Sequence, residues 1–102
     1  MNSLIRSKIN DLITLCKLYK VKSLYSFGSA NTDTFNSKSD LDFLISFDKD
    51  ISIAEYTDNY FSLQYQLRSL FNREIDLVTE NSLSNPYFIN EIEQSKQLIY
   101  GA

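Results

Sequence analysis

At 102 residues, with 43% apolar and 14% aromatic side chains, the chain has the size and composition of one globular domain, so a single domain over residues 1–102 is expected. It has no histidine and one cysteine, which excludes His-based triads, His-ligated zinc and an internal disulfide. A net charge of −3 argues against nonspecific nucleic-acid binding, and no apolar run approaches the roughly 18 residues of a membrane span.

In chain order, residues 3–19 place Ile5, Ile9, Leu12, Ile13 and Cys16 at helical spacing behind Ser3, a capping residue, and predict an amphipathic first helix. Cys16 falls on its apolar face and reads as buried filler. The surplus of cations up to residue 24 (Arg6, Lys8, Lys17, Lys20 and Lys22 against Asp11) reads as a solvated face. No signal-peptide core precedes this helix, so a soluble cytoplasmic protein is expected. Val21–Phe27, rich in β-branched and aromatic residues, predicts a strand that stops at Gly28. Residues 30–39 are polar and read as a loop with room for one helical turn at its start.

Leu41–Phe47 is the most strand-like stretch of the chain. Ser52 and Glu55 form a capping box, behind which Tyr56, Tyr60, Leu63, Leu67 and Leu70 predict a long helix over about 53–72. Glu74–Thr79 reads as a third strand. Asn85 followed by Pro86 opens a last helix, with Ile89, Ile92 and Ile99 facing inward and Gly101 at its C-terminal end. The order helix, strand, loop, strand, helix, strand, helix implies one small sheet covered by helices, an α/β or α+β domain.

Acids interrupt two of these strands. Side chains alternate along a strand, so Asp40 and Asp42 share one face, about 7 Å apart, while Leu41, Phe43 and Ile45 take the other. Such a pair repels unless a cation lies between, and oxygen ligands without His or Cys favour Mg²⁺ or Mn²⁺. Asp76 breaks the third strand in the same way; if that strand lies beside the second, three carboxylates converge. Upstream, Tyr25-Ser26-Phe27 ends on Gly28-Ser29, ten residues before Asp40. Glycine lets the backbone approach a ligand, and a helical turn behind it aims N–H groups at phosphate.

Taken together, FGSANTDTFNSKSDLDFLI followed by REIDLV resembles the minimal nucleotidyltransferase branch of the DNA polymerase beta-like nucleotidyltransferase superfamily. The resemblance covers nearly the whole chain and implies a mixed sheet flanked by helices. It also implies two Mg²⁺ ions held by Asp40, Asp42 and Asp76, with Asp76 helping to activate the attacking hydroxyl. Gly28 and Ser29 would seat the triphosphate of ATP or another nucleoside triphosphate. In that branch the acceptor is typically a tyrosine of a HEPN-type toxin, with the enzyme as its antitoxin. Where many relatives carry Gly-Ser-Arg-Ala-Arg-Gly, this chain reads Ala30-Asn31-Thr32-Asp33 after Gly-Ser, leaving Lys38 and Arg73 as candidates for the missing cations. A non-catalytic module that sequesters a partner and an antibiotic nucleotidyltransferase are the alternatives. Homo- or hetero-oligomerisation stays open.

Overall fold

The computed structural model describes residues 1–101. The first helical region is two helices, α1 (Ser3–Ser7) and α2 (Ile9–Leu18), and not one. The break falls at Lys8, whose N–H donates to the Ile5 carbonyl three residues back (3.0 Å), out of phase with a continuous helix. The cap is Asn2 and not Ser3: its Oδ1 accepts from the N–H groups of Leu4 (2.8 Å) and Ile5 (3.2 Å).

The strands are β1 (Val21–Phe27), β2 (Leu41–Phe47), β3 (Ile75–Thr79) and β4 (Gln97–Tyr100), in the spatial order β3-β2-β1-β4. β1 runs antiparallel to both β2 and β4, whereas β2 and β3 are parallel, so the sheet is mixed as expected. The parallel pair needs a crossover, supplied by α3 (Ile53–Phe71). Ser52 caps α3 by accepting from the Glu55 N–H (3.1 Å), but Glu55 completes no capping box, because its carboxylate bonds Lys20 Nζ at 2.9 Å. Asn72, in the left-handed conformation, ends the helix.

β4 corrects the sequence reading, which carried the last helix to Ile99. That helix, α4, is Pro86–Ser95, and Lys96 turns the chain extended (φ −65°, ψ 143°). Gln97–Tyr100 then pairs with β1, closing an edge whose N–H and C=O groups would otherwise be unpaired. Gly101 follows this strand, at φ +92°.

The two faces of the sheet differ. A bulge in β1 between Val21 and Ser23 moves Val21 onto the same face as Leu24. That face joins Leu41, Phe43, Ile45 and Phe47 to Leu12 and Cys16 of α2 and to Leu63, Leu67 and Phe71 of α3, and forms the main core. Burial there pushes the Cys16 thiol up to about 12, so it is filler and no nucleophile. The opposite face has only a small cluster, Phe27 and Leu44 beneath Ile92 of α4. Among the described residues no helix is long and apolar enough to cross a membrane.

Candidate active site

Register alone builds the first part of the site. Phe27 of β1 opposes Asp42 of β2, and Asp42 opposes Asp76 of β3, a row of three side chains across the open face. The structure thus brings Asp42 and Asp76 together on neighbouring parallel strands, about 4.8 Å apart in the hydrogen-bonding direction. Asp40 lies one residue before β2 begins and is exposed. Among the described residues, no three His, Cys, Asp or Glu side chains stand close enough to form a finished metal cage. What the chain presents is a carboxylate pair with a third acid at its margin.

Electrostatics register that grouping. The half-buried Asp42 carboxyl is pushed up to about 6, first by burial, then by the charge of Asp76 and then by that of Asp40. Tyr60 of α3 reaches the same locality. Its hydroxyl donates to the carbonyl of Leu77 (2.6 Å), next to Asp76, and its pKa is raised by burial and by the Asp76 charge.

β1 runs into a 3₁₀ turn, Gly28–Asn31. Gly28 sits at φ +70°, and a Cβ there would collide with Asp42 Oδ2, so only glycine lets the turn close over the carboxylate. Ser29 Oγ reaches the carbonyl of Asp40 at 3.4 Å. The turn is held by residues the sequence reading did not single out. Asn31 Nδ2 donates to the carbonyls of Ser26 (2.9 Å) and Ser95 (2.8 Å), and its Oδ1 accepts from the fully buried Ser26 hydroxyl (3.1 Å). Asn2 Nδ2 donates to the carbonyl of Ala30 (3.0 Å), tying the cap of α1 to the same turn. Asparagines in polar stretches give no sequence signal of this kind, because their partners lie 28 and 64 residues away.

The candidate phosphate cations behave differently from that expectation. Arg73 lies over the Phe35 ring, 4.8 Å from its centroid, and donates to the carbonyls of Asn36 (3.2 Å) and Ser39 (2.9 Å). It anchors the loop between the turn and β2. Lys38 is exposed on that loop.

A cavity of about 390 Å³ opens beside the turn. One wall is Gly28, Ser29, Thr32, Thr34 and Asp42, and the other is one face of α4, Phe88, Glu91, Ile92 and Ser95. The bond from Asn31 to Ser95 spans the two walls and sets their spacing. Chemically, the arrangement combines a carboxylate pair suited to a hard cation, backbone and hydroxyl donors suited to phosphate, and a partly apolar wall.

Comparisons with known proteins agree with this geometry. A family model described as the nucleotidyltransferase domain matches residues 12–99. A candidate protein adenylyltransferase of Methanocaldococcus jannaschii is 38% identical over 82 residues, which span 80% of this chain and 78% of the relative. Among solved structures, a toxin–antitoxin complex with AMP-PNP superposes with a TM-score of 0.71 at 22% identity, over 92% of this chain and 73% of that one. A tri-AMPylated Shewanella oneidensis HEPN toxin in complex with MNT antitoxin gives a TM-score of 0.66 at 19% identity, over 95% of this chain and 72% of that one. At those identities the structural matches speak for the fold, whereas the family model spans most of the sequence: the chain belongs to the nucleotidyltransferase domain family.

Proposed function

We propose that this chain moves AMP from ATP to a hydroxyl, on tyrosine, of a partner protein, and that the partner is a HEPN-type toxin which it restrains as an antitoxin. The observation that carries the reading is the Asp42–Asp76 pair set directly beside the Gly28–Ser29 turn. The names of the relatives, one a protein adenylyltransferase and one an antitoxin bound to an AMPylated toxin, supply the acceptor class.

The residues fit a divalent metal. The donors are all carboxylate oxygens, and although burial is the main cause of the raised Asp42 pKa, the charges of Asp76 and Asp40 add to it, a repulsion that a cation relieves. Asp40, Asp42 and Asp76 would hold two Mg²⁺ ions, with Mn²⁺ a substitute. When bound, the ions neutralise charge at the reacting phosphate and acidify the attacking hydroxyl. The protein does the rest by position. The missing side chain of Gly28 lets the turn close onto the Asp42 carboxylate, so that Ser29 and the turn stand beside the acids and would supply donors to phosphate in place of the absent arginines. The acceptor oxygen bonds to the α-phosphorus as the bond to the β-phosphate oxygen breaks. Pyrophosphate leaves in line, and the hydroxyl proton passes to the Asp76 carboxylate.

The test is acceptor competition. With α-labelled ATP and Mg²⁺, label should move to a HEPN-type partner, and far less to an aminoglycoside or an RNA end. Efficient labelling of either small molecule or RNA beside an unlabelled partner would refute the acceptor while leaving the metal site intact.

A further inference from the structure

We propose that the α4 wall of the cavity is the nucleobase subsite, with Phe88 the stacking surface and Glu91 the group that selects adenine. This rests on the reading of ATP as substrate. Phe88, Glu91, Ile92 and Ser95 recur at intervals of three, one and three residues, so they form one helical face, and that face meets the phosphate-seating turn across a single cavity. The volume of about 390 Å³ lies within the range of small-ligand pockets.

The two ends of the cavity have opposite chemistry. The Gly28–Ser29 end offers N–H and hydroxyl donors beside a carboxylate pair suited to a cation, as a triphosphate requires. The α4 end offers the Phe88 ring and the Glu91 carboxylate, which repels phosphate and suits a neutral base. Phe88 is built to stay in place: it packs edge-to-face on the buried Phe27 (centroids 6.0 Å, 71°), yet 37% of its surface remains exposed. Phe27 itself opposes Asp42 in the sheet, so the stacking ring and the carboxylate are referenced to one strand pair. Asn31 fixes the distance between the ends through Ser95. Glu91 is an acceptor, matched to the exocyclic amine of adenine and opposed to the carbonyl that guanine carries at that position.

The test is calorimetry on the whole chain with Mg²⁺ and three probes: ATP, GTP and inorganic tripolyphosphate. Phe88→Ala should weaken ATP by roughly 5- to 150-fold, the range for loss of one base–aromatic stack, while tripolyphosphate binding changes by less than about twofold. Phe88→Leu, which keeps apolar packing on Phe27 but has no ring, should give the same pattern. Glu91→Gln should narrow the preference for ATP over GTP. Unchanged ATP affinity in both Phe88 variants overturns the subsite, as does an equal loss of tripolyphosphate, which would make Phe88 a prop for the turn. An unchanged ATP-to-GTP ratio in Glu91→Gln overturns its role in selection. Wild type that binds neither ATP nor tripolyphosphate would instead refute the nucleotidyl-transfer reading beneath.

Discussion

The two faces of the sheet are made from alternate residues of the same strands, and they have been put to different uses. In β2, Leu41, Phe43, Ile45 and Phe47 enter the main core under α2 and α3, while Asp42, Leu44 and Ser46 look the other way. There the cover is thin: α4 contributes Ile92 to a three-residue cluster, and Asp42 and Asp76 are left at its border. One face holds the fold together, and the other holds charges that work against it. The difference implies that stability and chemistry can be altered separately in this molecule.

Substitutions on the two faces should separate those properties. The largest effect belongs to the packed face: Phe43→Ala, at a fully buried ring against Phe71, should cost about 3–5 kcal/mol in urea unfolding, much of what a domain of this size has. A smaller loss is expected at the seam between faces. Asn31→Ala removes three hydrogen bonds and strands the buried Ser26 hydroxyl, at a cost of about 1–3 kcal/mol, and it should raise the KM for ATP because the turn and α4 are no longer tied. Ser29→Ala should leave unfolding nearly unchanged and weaken ATP by about 1 kcal/mol or slightly more.

On the open face the sign reverses. Asp42→Asn should raise Tm in the absence of metal, since it removes a carboxyl whose ionisation the fold resists. The folded carboxyl is pushed up to about 6 from its usual 3.8, so the wild type loses stability as pH rises through that interval. The advantage of Asp42→Asn should therefore be full above pH 6 and vanish below 3.8. A variant less stable than wild type at neutral pH would mean that Asp42 has a structural role in the open face.

Much of this was legible in the sequence, for reasons that differ by element. Period-two alternation gave β2 and the shared face of its acids, and strong caps at Ser52 and Asn85 gave the starts of α3 and α4. The Asp42–Asp76 juxtaposition was conditional on strand order, which local pattern does not carry; the parallel register supplied it. β4 was missed because Leu98, Ile99 and Tyr100 are too short a run to tell strand from helix, and the pairing that decides the matter lies on β1. Asn31 and Phe88 were missed for the same physical reason. Each acts through partners distant in sequence, and neither residue type in a polar loop or a helix start signals that use.

The central claim is that the carboxylates of the open face carry nucleotidyl transfer without carrying the fold. Its most direct test is the intact mass of a HEPN-type partner after incubation with ATP, Mg²⁺ and either wild type, Asp42→Asn or Asp76→Asn, each first shown to unfold cooperatively at or above the wild-type Tm. The account predicts one or more added AMP units with wild type and none with either folded variant. AMP addition by a folded Asp42→Asn at the wild-type rate would contradict it.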